Sequence, residues 1–307
     1  MASPFFLSLF LLFYNGWKKE REKRIAMERI ILKDEYPELS GGVLESLCLE
    51  KVFDTPEEQE RWARPALLVI PGGAYSMVSK REGEPVAAFF LSQGFQTFIL
   101  RYSLDDVHGC YPEPMKEAAA AVDYLKRHAR RYSVNPREIF ALGFSAGGHL
   151  AGTLAYGGKE KKDWTGGYDC ALAGVGLSYP VVDEQSHPDS FCHLLGPSLP
   201  AERRKALAWN LSLVHEVGRK SVPTFLWSTE KDDLVPCDGV LRLARKLKKC
   251  SVPFSLRIYP EGGHGLSLGW PEINPGTSRC GREGIRDVEA WPKDCADFFR
   301  RFCSEPF

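Results

Sequence analysis

The chain has 307 residues, 44% hydrophobic and 26% charged, an ordinary globular composition that supplies a large core and argues against disorder. Lys and Arg number 40 and Asp and Glu number 40, so the formal net charge is zero, and the basic footprint of a nucleic-acid binder is missing. The 9 cysteines are scattered, odd in number and without a CxxC pair, which argues against a zinc ribbon or a disulfide framework and fits a reducing cytoplasm.

The amino end opens with an apolar run over residues 5–13, shorter than the roughly 20 residues a spanning helix needs. Its basic stretch "KKEREKR" follows the apolar run instead of preceding it, the wrong order for an export signal. The codons for Lys, Glu and Arg ahead of "IAM" can be purine-rich, so a ribosome-binding site read through as protein, with a true start at Met27, is a further reading. Residues 1–26 are therefore a leader open to three readings: anchor, signal or mis-assigned start. Stable membrane insertion is not expected, and residues 27–307 are expected to form one domain.

From there short apolar runs alternate with longer amphipathic stretches, the pattern of a mostly parallel sheet covered by helices. Strands are predicted over residues 44–53, 65–73, 95–103, 139–145, 172–181, 224–230 and 254–260. Residues 115–132 read as a helix with Ala118, Val122, Leu125 and Ala129 along one face, and residues 240–250 read the same way. The charged stretch at 157–164 is expected to be a solvated loop or helix edge. The cluster His187, Cys192 and His193 matches no metal-ligand spacing and is expected to be a packed turn. No repeat or linker divides the chain, so the expected fold class is a three-layer α/β arrangement.

Two serines sit in a G-x-S-x-G pattern, Ser145 and Ser267. Ser145 follows the apolar run "IFAL" and precedes "AGGHLAG", the strand, sharp turn and small-residue helix start of a nucleophile elbow. Ser267 is followed by "WPEINPG", whose prolines oppose a helix, and no histidine follows His264, so Ser267 is expected to be a loop residue. A serine hydroxyl is nearly inert at neutral pH unless a histidine oriented by a carboxylate takes its proton. Asp232 and Asp233 stand just beyond one predicted strand and His264 beyond the next, giving the order Ser, Asp, His. Gly72, Gly73 and Ala74 follow an early strand where backbone N–H groups meet a developing oxyanion, and the N–H of Ala146 is the second expected donor. Tyr75, His149 and Trp270 receive no catalytic role, and His149 is expected to pack within the helix after the elbow.

Together "PGGAYSMVSKREGEPVA", "GFSAGGHLAG", "LSYPVV", "LLG", "VPTFLWSTEKDDLVP", "YPEGGHGLSL" and "WPKDCADFFRRF" resemble the α/β-hydrolase superfamily, in its bacterial acetyl-xylan esterase-like or BD-FAE-like branch. The resemblance runs from about Met27 to the C-terminus. It implies a catalytic set of Ser145, Asp232 and His264, because the acidic residue of relatives stands three before the Val-Pro pair. It also implies hydrolysis of small-molecule carboxylic esters, notably acetyl groups on sugars or oligosaccharides, without metal or organic cofactor. It departs from its relatives at Ala74, where a third glycine is usual, at Ser228, where histidine is common, and at the "PCDG" after Val235. An amidase or peptidase resembling arylformamidase is the alternative reading. A non-catalytic hydrolase-fold binding protein, which would be expected to lack one of these parts, stands further off. The oligomeric state is left open.

Overall fold

The computed structural model describes residues 27–304 except 50–54, 56, 58–61, 105–108, 159 and 275–285. The three readings of residues 1–26 lie outside the described residues. The strands are β1 (Glu28–Ile31), β2 (Val43–Leu47), β3 (Arg64–Ile70), β4 (Gln96–Arg101), β5 (Val134–Phe144), β6 (Gly174–Ser178), β7 (Thr224–Thr229) and β8 (Phe254–Tyr259). They form one 8-stranded sheet in the order β1-β2-β4-β3-β5-β6-β7-β8. The first two strands pair antiparallel at one edge, and β4 through β8 run parallel.

Parallel strands connected by crossover helices are covered on both faces, which is why β3 reads as the continuous apolar run "PALLVI". Its side chains still alternate: Ala66, Leu68 and Ile70 enter one core, and Leu67 and Val69 the other. The first core lies under α2 (Glu113–Arg127), α3 (Ser145–Tyr156), α5 (Ala201–Asn210) and α6 (Asp238–Lys249), and the second under α1 (Glu84–Ser92) and α7 (Trp291–Arg300). This is the expected three-layer α/β architecture. All 12 residues of α3 are buried. Its small side chains permit this: a Cβ on Gly148 would lie 2.8 Å from Pro180, and one on Gly152 would lie 2.7 Å from Leu213. In α6, Val240, Leu243, Ala244 and Leu247 form the buried stripe, while Lys246, Lys248 and Lys249 gather at the C-terminal end, where the helix dipole favours cations.

The structure differs from the expectations in several places. Strand β1 lies outside every predicted strand. Strand β2 ends at Leu47, and part of the longer strand expected there lies outside the described residues. Strand β5 begins at Val134, five positions early, because Arg64 pairs with Val134 before the register shifts to Ala66 opposite Ile139. The stretch at 157–164 contains a helical turn, Lys161–Trp164, pinned by the buried indole of Trp164. Cys192 and His193 lie not in a turn but in α4 (Pro188–Leu195), which His187 caps by accepting the Ser190 N–H. No helix among the described residues is long and apolar enough to cross a membrane.

Candidate active site

Ser145 stands where β5 turns into α3, with φ at 52° in the left-handed region. A non-glycine residue there is costly and persists only where the surroundings enforce it. The two glycines of the motif do so by close approach. A Cβ on Gly143 would lie 2.1 Å from the Gly147 carbonyl oxygen, and one on Gly147 would lie 2.2 Å from the Ile70 oxygen and 2.3 Å from the Pro71 oxygen. Strand, turn and helix thus touch through bare backbone, and the serine is lifted out of the sheet edge.

The structure brings His264 to this serine, its Nε2 2.8 Å from Ser145 Oγ. On the other side of the ring, His264 Nδ1 lies 2.7 Å from Asp232 Oδ2. An ionised carboxylate only accepts, so Nδ1 carries the hydrogen and Nε2 presents its lone pair to the serine hydroxyl. Asp232 is fixed in turn: its Oδ1 accepts the N–H groups of Leu234 at 3.1 Å and Val235 at 2.9 Å. Its side chain is buried, while Asp233 is exposed. Of the two carboxylates, Asp232 alone faces the histidine. Ser267, the rival serine, is buried in a loop and donates its hydroxyl to the Arg81 carbonyl at 2.6 Å.

The loop after β3 lies beside the elbow. Gly73, Ala74 and Tyr75 all have positive φ, at 129°, 54° and 58°. Ala74 therefore occupies backbone space that suits glycine, at the position where the resemblance implies one. The Gly72 N–H is taken by Glu82 Oε2 at 2.8 Å. Among the described residues no acceptor meets the N–H of Gly73 or Ala74. Ala146 sits in the first turn of α3, where N–H groups have no partner within the helix. A Cβ on Gly72 would lie 2.9 Å from Ser145 Cβ, so the loop carrying the N–H groups of Gly73 and Ala74 packs against the serine.

His149 is wholly buried in α3. Its Nε2–H donates to the Leu211 carbonyl at 2.8 Å, and Nδ1 accepts the Tyr75 hydroxyl at 2.7 Å. Burial holds its pKa down at about 4, so the ring is neutral and ties the loop after β3 to the helix. It packs, as expected. Trp270 is half-exposed and meets the ring of Phe89 edge-on. Burial lowers the pKa of His187, and His193 donates from Nδ1 to the Ala74 carbonyl at 2.9 Å. Among the described residues no group of three His, Cys, Asp or Glu side chains is placed to hold a metal ion.

Sequence reasoning missed Glu82 and Tyr179. Tyr179 lies edge-on to the His264 ring, with centroids 5.0 Å apart, and its hydroxyl donates to Glu82 Oε1 at 2.7 Å. Burial and the neighbouring Glu82 push the Tyr179 phenol well above its usual range. The only trace of either residue in the sequence is its place inside a quoted motif, "SKREGEP" and "LSYPVV".

The BD-FAE family profile matches residues 53–247, more than half of the chain. Endo-1,4-beta-xylanase B of Butyrivibrio fibrisolvens is 33% identical over 222 residues, covering 70% of this chain and 34% of that protein. The acetylxylan esterase of Xylanibacter ruminicola is 28% identical over 210 residues, covering 66% and 41%. The chain thus spans well under half the length of these curated relatives. Among solved structures, an acetyl ester-xyloside bifunctional hydrolase from Caldicellulosiruptor lactoaceticus superposes with a TM-score of 0.72 at 30% identity, covering 91% of this chain and 96% of that one. The carboxylesterase Cest-2923 from Lactobacillus plantarum WCFS1, at 22% identity and a TM-score of 0.74, shares the fold over 90% and 97% of the two chains. With this match and this sheet order, the chain belongs to the BD-FAE family, and its residues build an esterase domain of the α/β-hydrolase superfamily.

Proposed function

We propose that the chain hydrolyses small carboxylic esters, with acetyl esters of sugars or oligosaccharides as the substrate class, through Ser145, His264 and Asp232. The observation that carries the reading is the unbroken hydrogen-bonded line from Ser145 Oγ through the imidazole to a buried carboxylate, with steps of 2.8 and 2.7 Å. His264 Nε2 accepts the serine proton as Oγ bonds to the acyl carbon. The carbonyl electron pair becomes an oxyanion met by the N–H groups of Gly73, Ala74 and Ala146. Asp232 keeps the imidazole in the required tautomer and stabilises its positive form. The tetrahedral centre collapses, the ester C–O bond breaks, and His264 returns the proton to the departing alcohol. Water then repeats the sequence on the acyl-enzyme and releases the carboxylic acid.

The acetyl preference rests on relatives named acetylxylan esterase and acetyl ester-xyloside hydrolase. The test is turnover of a chromogenic aryl acetate and of acetylated xylo-oligosaccharides, with labelling by a fluorophosphonate. Ser145→Ala is expected to abolish both turnover and labelling. Undiminished turnover in that variant refutes the assignment, and turnover of aminoacyl amides in preference to any ester replaces the substrate class.

A further inference from the structure

We propose that Glu82 is a positioning residue whose one carboxylate holds the oxyanion loop and the His264 loop in register with each other. The inference rests on the roles proposed for Ser145, His264 and the N–H groups of Gly73 and Ala74. Glu82 ends a single 3-10 turn, Lys80–Glu82, and is 3% exposed. Among the described residues no Lys, Arg or His lies within ion-pair distance of it. A buried carboxylate without a counter-charge is expensive to keep. What it has instead is a donor at each oxygen. Oε2 receives the Gly72 N–H at 2.8 Å, and Oε1 receives the Tyr179 O–H at 2.7 Å.

Each bond leads to one half of the machinery. Gly72 immediately precedes the two open N–H groups and is pressed against the elbow: a Cβ there would lie 2.9 Å from Glu82 Oε2, 2.9 Å from Ser145 Cβ and 2.6 Å from the Phe144 oxygen. Tyr179 faces the His264 ring, and its oxygen also accepts the Ser267 N–H at 2.9 Å, three residues beyond the histidine. The neighbouring Arg81 carbonyl takes the Ser267 hydroxyl at 2.6 Å, and the Arg81 guanidinium reaches Asn274 Oδ1 at 2.9 Å. Asn274 in turn donates to the Leu266 and Trp270 carbonyls at 2.8 and 3.1 Å. Residues 81 and 82 thereby clamp the loop carrying the base to the loop carrying the oxyanion donors.

The chemistry requires a carboxylate. Glutamine has the same shape but one acceptor and one NH₂. With the NH₂ toward Gly72, two donors oppose each other. With the NH₂ toward Tyr179, the phenol must accept twice and its own hydrogen is left buried and unpaired. Either way one half of the clamp is released, and misplacement by a fraction of an ångström to 1 Å is worth up to about 100-fold in rate.

The test compares full-length wild type, Glu82→Gln and Tyr179→Phe, each normalised to active sites titrated with a fluorophosphonate. The readouts are kcat and KM for an aryl acetate and the inhibition constant of an aryl boronic acid, whose tetrahedral serine adduct uses the oxyanion donors. Glu82→Gln is expected to lower kcat per titrated site by about 10–100-fold, with KM within about threefold and boronate affinity reduced in step with kcat. Tyr179→Phe keeps the ring and the Gly72 bond, and is expected to lower kcat while losing less boronate affinity than Glu82→Gln. A merely structural Glu82 would lower the melting temperature and leave kcat and boronate affinity per titrated site within twofold, and that result overturns the proposal. Should Glu82→Gln not fold, an unchanged kcat in Tyr179→Phe does the same. Failure of the underlying reading looks different: Ser145 of the wild type would then resist the fluorophosphonate.

Discussion

Replacing Asp232 by asparagine isolates the contribution of the carboxylate while sparing the fold, because the geometry dictates how the amide must sit. Asp232 Oδ1 accepts from both Leu234 N and Val235 N. An NH₂ group there would face two donors, so the amide oxygen keeps that place and the NH₂ turns toward His264 Nδ1. That nitrogen, 2.7 Å away, must then become the acceptor. The ring hydrogen moves to Nε2, which points at Ser145 Oγ from 2.8 Å. The base is still in position but holds its hydrogen where its lone pair was needed. Loss of the correct tautomer in a Ser-His-Asp arrangement costs about 10⁴-fold in kcat, or about 5 kcal/mol of transition-state stabilisation. Asp233 is exposed and does not meet the histidine, so Asp233→Asn is expected to stay within about twofold, as surface substitutions usually do. Initial rates on an aryl acetate, normalised to folded protein by near-UV circular dichroism, measure both. If Asp232→Asn retains a tenth of the wild-type rate, or if Asp233→Asn is the one that collapses, the tautomer argument is wrong.

Gly147→Ala tests the close approach at the elbow. Its Cβ would land 2.2 and 2.3 Å from two backbone oxygens, so strand and helix must separate, at a cost of about 3 kcal/mol in urea unfolding. Gly218→Ala, where no heavy atom lies within 4 Å, should leave the unfolding midpoint in place or raise it slightly. A second prediction concerns pH. Burial pushes the Glu216 carboxyl up to about 8, so the folded chain holds a proton that the unfolded chain has already released. Stability from this group is full below the unfolded value and is lost as pH rises toward about 8. Glu216→Gln stays neutral throughout, so its melting temperature should gain on the wild type between about pH 5 and pH 8. Glu117, pushed up to about 7 by burial, is common to both proteins and cancels from the difference. A constant gap between the two melting curves refutes the assignment.

What the sequence made legible was local. The elbow is readable because strand, turn and helix start are contiguous in "IFALGFSAGGHLAG", and each of its glycines has a steric reason to be there. The amphipathic α6 is readable because one helix carries its whole pattern. The strand β1 escaped notice because "ERII" is short, buries a single side chain, and pairs only with β2 at the sheet edge. Asp232 and Asp233 look alike in sequence. They part only when the chain turns back so that one carboxylate accepts its own backbone N–H groups two and three residues on, leaving the other in solvent.

Glu82 shows why the remaining part of the site could not be read. In sequence it stands two residues before α1, among "KREGEP", where an acidic side chain reads as a favourable charge near a helix N-terminus. Nothing local marks it as buried. Its partners lie 10 and 97 residues away, and the Tyr179 that links it to His264 comes from the end of a different strand. Only closure of the sheet brings β3, β5 and β6 side by side, so that three strand ends deliver Gly72, Ser145 and Tyr179 to one edge. A side chain whose surroundings are assembled by non-adjacent strands has no signature at any sequence spacing. The residues that hold an active site together are therefore harder to read than those that perform its chemistry, which must carry a particular functional group and so declare themselves by type.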